Sequence, residues 1–248
     1  MEIHLAESKS VEVFTKLDGS PVTVADTRAE TAIRSMILEA FPQDGFVGEE
    51  GGTTAGSSGR VWYADPLDGT IQFISGMEDY GVLIAMKDPN GIQLGILGHS
   101  ARETIWVAER GCGTYRMEPD LFEGYEIVAK PCVNRMYAPR LIERAIACFG
   151  HLHRMYGAGM DVGVLVSRFK THLPVPRFLM FTLVAQGSLD VAVARLVNDW
   201  DLFANQIIVE EAGGTVISIQ LKNGRWVVAA RSRELAEQAI TAIQESIY

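Results

Sequence analysis

Asp65 and Asp68 stand three residues apart around a proline, in the stretch Trp62-Tyr63-Ala64-Asp65-Pro66-Leu67-Asp68-Gly69-Thr70. A strand-like run, Val61 to Ala64, leads in, and the polar cluster begins where that run stops. Carboxylates at the end of a strand can point at one metal ion or at two adjacent ones, and oxygen ligands suit a hard cation such as Mg²⁺. The amides of Gly69 and Thr70 come next and can meet an anion. Metal and phosphate held side by side is the chemistry these residues could do. The same string is also a good turn, because proline presets φ, Asp forms an Asx-turn and Gly supplies positive φ. Taken alone, it leaves both readings open.

Other acids lie at element boundaries. Ala29, Ala32, Ile33, Met36, Ile37 and Ala40 follow helical spacing, with Arg28, Glu30, Arg34 and Glu39 off that stripe. Thr23 or Asp26 would cap this helix, and Phe41-Pro42 would end it. Asp26 therefore either answers the helix dipole or serves a site. Glu49 and Glu50 are flanked by glycines in Gly48-Glu49-Glu50-Gly51-Gly52. The segment from Gly51 to Gly59 reads as a mobile loop that could fold over the Asp65 stretch. Asp199-Trp200-Asp201 opens a helix that closes at Glu210-Glu211-Ala212-Gly213-Gly214. His151 and His153 are two residues apart, a spacing that fits a metal site on a strand but favours a structural pair.

The elements that must position these residues change character along the chain. Tyr80 to Lys87, Ile92 to His99, Thr104 to Glu109 and Gly113 to Arg116 read as strands, with a hairpin turn at Asp88-Pro89-Asn90-Gly91. From about Pro139 the pattern becomes α/β. Leu141 to Phe149 and Phe178 to Gln186 read as helices, and Leu189 to Ala194 as a strand. Thr215 to Ile219 and Trp226 to Ala230 form a hairpin, and Ser232 to Tyr248 a final amphipathic helix. Two halves of one compact unit are expected: residues 1–135, carrying most of the acids, and 136–248, carrying the Trp200-Asp201 motif.

Composition narrows the function classes. A chain of 248 residues, 48% hydrophobic, can build a substantial core. The net charge is −9 and no basic block stands out, which argues against a nucleic-acid surface. Cys112, Cys132 and Cys148 are odd in number and widely spaced, so no disulfide framework is indicated and a reducing, cytoplasmic setting is expected. No signal peptide and no bilayer-spanning run is visible.

Gly48-Glu49-Glu50, Asp65-Pro66-Leu67-Asp68-Gly69-Thr70 and Trp200-Asp201 followed by Glu211-Ala212-Gly213-Gly214 occur in this order. Together they resemble the marks of the inositol monophosphatase family, the lithium-sensitive, magnesium-dependent phosphatases. Lys16-x-Asp18-Gly19-Ser20-Pro21-Val22-Thr23-x-Ala25-Asp26 adds a fourth stretch, and its wording is similar to the histidinol-phosphatase branch. The resemblance implies an α+β fold, a layered αβαβα sandwich, and assembly as a homodimer. It implies two or three Mg²⁺ ions and, as substrate, a small phosphorylated metabolite such as histidinol phosphate, inositol phosphate or a related sugar or polyol phosphate; the alternatives are a bisphosphate-nucleotidase- or fructose-bisphosphatase-like activity and a non-catalytic metal-binding relative. Glu49, Asp65 and the Leu67 carbonyl would hold one ion, and Asp65, Asp68 and Asp201 a second. Asp26 and Glu49 would bear on a third ion or its water. Thr70, with Glu49 or Asp26, would orient the attacking water, and the amides of Gly69 and Thr70 would receive the phosphate. Asp68 and Asp201 would also meet the substrate.

The chain departs from the family's pattern at Ile71-Gln72, Pro176-Arg177, Ala194-Arg195 and Leu202-Phe203-Ala204-Asn205. These departures are expected around the leaving-group pocket, so they bear on the substrate rather than the metals. Arg195 or Arg177 there would favour an acidic or doubly phosphorylated substrate, or would be a surface ion pair. The family's long first helix is expected to be absent or truncated.

Overall fold

A computed structural model of the chain describes residues 1–7, 12–16, 19–119, 127–131, 140–150, 152–157, 159–195 and 197–247. It divides into two compact units, Met1–Pro131 with Asp199–Ile207, and Cys132–Asn198 with Ile208–Tyr248.

The first unit opens with α1 (Glu2–Glu7), the hairpin β1 (Val13–Thr15) and β2 (Pro21–Thr23), and α2 (Val24–Ala40). Helix α2 starts on a capping box, in which the Thr23 side chain accepts from the N3 backbone and the Asp26 carboxylate accepts from the Thr23 amide. It stops at Phe41, whose amide still donates to Ile37 before Pro42 forbids another turn.

An eight-stranded sheet follows: β3 (Gly45–Gly48), β4 (Gly52–Thr54), β5 (Val61–Asp68), β6 (Gly81–Asp88), β7 (Gly91–His99), β8 (Thr104–Glu109), β9 (Gly113–Pro119) and β10 (Ile127–Pro131). Helix α3 (Thr70–Ile74) sits between β5 and β6. The strand order is β10-β9-β8-β7-β6-β5-β3-β4, antiparallel except for the β3–β5 pair. The β6–β7 hairpin turns at Asp88 and Gly91, with the Asn90 amide donating to Asp88 Oδ1 at 2.7 Å.

The second unit holds β11 (Ile146–Phe149), α4 (Leu152–Tyr156), α5 (Val162–Ser167), β12 (Thr171–His172), α6 (Met180–Ala185) and β13 (Val191–Arg195). After α7 (Asp199–Glu211), whose opening turns belong to the first unit, come β14 (Thr215–Leu221), β15 (Gly224–Ala230) and α8 (Arg233–Glu245). The five strands are ordered β12-β11-β13-β15-β14. The core of this unit gathers Val191, Val193, Trp226, Val228, Leu235 and Ile243. Burial of such side chains contributes roughly 1.5–3 kcal/mol each.

Three expectations are corrected. Leu141 to Phe149 is not a helix but a 3₁₀ turn, Ile142–Arg144, followed by β11. A short apolar run has no period that separates a buried strand from a helix, and here parallel pairing with β13 decides it. Gly51 to Gly59 is not wholly loop, because Gly52–Thr54 pairs with β3 as β4. Arg34 fastens that strand from α2, donating to the Gly52 carbonyl at 2.9 Å and to Thr54 Oγ1 at 2.6 Å. The helix expected from Phe178 is α6, one turn of 3₁₀ later. His151 lies outside the described residues, and the chain from Leu152 is helical rather than extended.

Candidate metal centre

The site is built at one end of β5. That strand pairs regularly with β6 as far as Asp65, then shifts register before Asp68. Pro66 carries no amide for a ladder, so an irregularity here is expected. The Leu67 amide donates back to Asp65 Oδ1 at 2.9 Å, the Asx-type bond that aspartate offers at turns. Leu67 is buried with Ala25, Phe73 and Tyr80 in a small core that anchors the turn. Gly69 then takes φ +99°, and a Cβ there would come within 2.7 Å of the Asp79 carbonyl. Glycine is the residue that meets both demands.

Glu49 enters from the turn between β3 and β4, with its amide donating to the Ala64 carbonyl of β5 at 3.2 Å. Asp201 enters from the first turn of α7. The opening turns of that helix press against the sheet because Gly95, in mid-β7, carries no side chain. A Cβ there would collide with Ile207 and with the Ala204 carbonyl. Phe203 meets Tyr63 of β5 edge-on at 4.8 Å. One carboxylate oxygen each from Glu49, Asp65 and Asp201 lies within 4.8 Å of the others.

The electrostatics match a cation site. Asp65 is 3% exposed, and its carboxyl is pushed well above the ordinary range by burial and then by the charges of Glu49, Asp68 and Asp201. Buried like charges so close are unfavourable unless a cation compensates them. An all-oxygen donor set of this kind fits a hard divalent ion. Lys16 supplies part of the compensation, donating to Glu49 Oε1 at 2.7 Å and Glu50 Oε1 at 2.6 Å. Burial works to lower the Lys16 pKa, but the two carboxylates overcome it and hold the ammonium well above its usual range. Glu50 is raised by burial, against the opposing pull of Lys16.

Asp26 caps the start of α2 and also faces Thr70. Its Oδ2 accepts from the Thr23 amide at 2.7 Å and from Thr23 Oγ1 at 2.6 Å. Its Oδ1 lies 3.3 Å from Thr70 Oγ1, which is also 3.1 Å from the Leu67 carbonyl. Burial raises the Asp26 carboxyl despite these bonds.

The structure brings Asp26, Glu49, Asp65, Leu67, Asp68, Gly69, Thr70 and Asp201 into the first unit. Arg195 belongs to the second, where its Nε donates to the Asn223 carbonyl at 3.0 Å and its guanidinium lies over Trp226. Phe203 and Ala204, expected near a leaving-group pocket, are buried packing residues. Glu30, which the helical period places on the polar face, is 2% exposed and bonded to the Glu49 turn. The available signal was its spacing: Asp26, Glu30 and Arg34 recur every four residues on one face of α2.

Comparison with known proteins decides the family. A model of the inositol monophosphatase family matches residues 2–248. The chain belongs to the inositol monophosphatase family. It is a phosphoric monoester hydrolase of that metal-dependent family, and its substrate is a small phosphorylated metabolite. The chain is 32% identical to a histidinol-phosphatase of Chlorobaculum parvum, over 83% of this chain and 75% of that one. It is 31% identical to a histidinol-phosphatase of Mycobacterium tuberculosis, over 84% and 78%. The extragenic suppressor protein suhB of Bartonella henselae shares the α+β fold, with TM-score 0.82, 23% identity and coverage of 99% and 94%. No helix among the described residues is long and apolar enough to cross a membrane.

Proposed function

We propose that this member of the inositol monophosphatase family hydrolyses histidinol phosphate with the help of Mg²⁺. The observation that carries the reading is the convergence of Glu49, Asp65 and Asp201 oxygens around a buried, charge-crowded Asp65. Glu49, Asp65 and the Leu67 carbonyl would hold one ion, and Asp65, Asp68 and Asp201 would hold a second. When bound, Mg²⁺ neutralises the phosphate and acidifies an attacking water. The Thr70 hydroxyl has one hydrogen, which it donates in a hydrogen bond to Asp26 or to the Leu67 carbonyl. Its lone pairs are then turned to accept a hydrogen bond from that water, which fixes the direction of attack. Asp26 is held for this task by Thr23 on its other oxygen. The amides of Gly69 and Thr70 meet the phosphate oxygens. No side-chain nucleophile is required.

The two similar relatives named histidinol-phosphatases support the choice of substrate. Free thiols at Cys112 and Cys148 support a reducing, cytoplasmic setting. The test is phosphate release from histidinol phosphate, inositol 1-phosphate and other small monoesters, with Mg²⁺ and with EDTA. Histidinol phosphate is expected to give the highest kcat/KM, with turnover lost in EDTA and restored by Mg²⁺. Turnover that survives EDTA overturns the metal assignment, and a faster inositol phosphate overturns the substrate.

A further inference from the structure

We infer that Glu30 is a positioning residue that fixes the Glu49 turn for metal binding. This rests on the proposed metal role of Glu49. Glu30 lies in the second turn of α2 and is 2% exposed, yet it carries a carboxylate. A buried charge of this kind is costly unless its oxygens are fully engaged. Here they are engaged by the backbone that carries Glu49. Glu30 Oε2 accepts from the Glu50 amide at 2.7 Å, and Oε1 accepts from the Gly51 amide at 2.7 Å and from Arg34 at 2.8 Å. Two consecutive amides directed at one carboxylate define the path of the turn immediately after Glu49.

The glycines around Glu49 make room for this arrangement. A Cβ at Gly48 would collide with the Glu30 carboxylate, and one at Gly51 would crowd Glu30 Oε1. Glycine at these two positions is thus a requirement of Glu30 rather than a mark of a loose loop. Arg34 completes the bracket, tying Glu30 to the Gly52 carbonyl and Thr54. The face of α2 that begins with Asp26 at the site continues through Glu30 and Arg34 as a support for the Glu49 turn. Partners of this kind, one bond removed from a metal ligand, typically change metal affinity or activity by ~10–100-fold when replaced.

Glu30→Gln is the sharpest variant. Its amide retains one acceptor oxygen, and its NH₂ faces a backbone N–H that it cannot accept from. The experiment titrates Mn²⁺, read by electron paramagnetic resonance, into the metal-stripped full chain of wild type, Glu30→Gln and Glu49→Gln. Hydrogen exchange of the Glu50 and Gly51 amides is measured on the metal-free wild type. The expected result is roughly 10–100-fold weaker Mn²⁺ binding by Glu30→Gln, with circular dichroism unchanged. Slow exchange at the Glu50 and Gly51 amides is expected before any metal is added. Wild-type Mn²⁺ affinity in a folded Glu30→Gln overturns the inference. If that variant does not fold, fast exchange of the two amides in the wild type overturns it instead, and slow exchange supports it. Undiminished binding by Glu49→Gln strikes the underlying metal assignment, a failure distinct from either.

Discussion

A buried aspartate lies near each end of β5, and their surroundings are opposite. Beside the start of the strand, Asp44 is 1% exposed and accepts from Ser58 Oγ at 2.7 Å, Trp62 Nε1 at 2.9 Å and Arg60 Nε at 3.0 Å. Burial alone would raise its carboxyl, but these donors and the Arg60 charge hold it below the ordinary value. Near the other end, Asp65 has one backbone donor and three neighbouring acids, and its carboxyl is raised. The chain therefore contains what is needed to satisfy a buried carboxylate, and applies it at Asp44 but not at Asp65. Stability explains the first end. The second fits the metal role proposed for Asp65, since a metal site, unlike a structural ion pair, leaves its counter-charge to come from outside.

Asp65→Asn breaks the comparison most severely. Activity with Mg²⁺ is expected to fall by on the order of 10³-fold or more, as for groups that act as a unit. The metal-free protein should at the same time become more stable at neutral pH. The sign follows from linkage. A carboxyl raised in the folded state binds more protons folded than unfolded, so its ionisation costs stability as pH rises above 3.8. The asparagine removes that cost. Thermal melts of the EDTA-treated proteins at acid and neutral pH check it, and an unchanged or lower Tm at neutral pH would remove the electrostatic account. Asp44 has the opposite sign: its lowered carboxyl contributes stability above 3.8 that is lost as pH falls through the folded value.

Asp44→Ala is the reverse case. It leaves the buried Trp62 N–H without its partner and should cost about 1–3 kcal/mol. Mg²⁺ affinity should stay within about twofold, because distant sites without shared partners act independently. Denaturant unfolding and Mg²⁺ titration of the same samples measure both, and a large loss of affinity would mean that the two ends of β5 are coupled.

Much of this was legible in the sequence, for physical reasons that can be named. Asp65, Glu49 and Asp201 sit where glycine, proline and helix starts interrupt regular structure, and such interruptions leave a mark in composition. Helix α2 was legible from its period and its Thr23–Asp26 cap, and the β6–β7 hairpin from Asp88-Pro89-Asn90-Gly91. What was hidden depends on tertiary approach. Gly95 is an ordinary strand glycine until α7 is laid across it. The packing of Phe203 on β5 and of Ala204 on β7 is likewise invisible until the helix is laid on the sheet. Glu30 lies on the polar face of α2, and a helical period separates apolar from polar, not exposed from buried.

The smallest expected effect concerns Lys16. Asp44 is served by an arginine whose side chain also stacks over Phe41, a fixed counter-charge. Glu49 and Glu50 share Lys16, a single ammonium on a flexible stem. If the acids near Asp65 are kept for an incoming ion, that ammonium competes with the ion for Glu49 rather than supporting it. Lys16→Met should then tighten Mg²⁺ binding by roughly three- to tenfold, the equivalent of ~1 kcal/mol for a partly exposed pair. It should also cost the metal-free protein a similar amount of stability, since Glu49 and Glu50 would face each other uncompensated. Calorimetric Mg²⁺ titration of the variant reads the first effect, and denaturant unfolding in EDTA the second. Weaker Mg²⁺ binding would assign Lys16 a supporting role at the site and remove the contrast with Arg60.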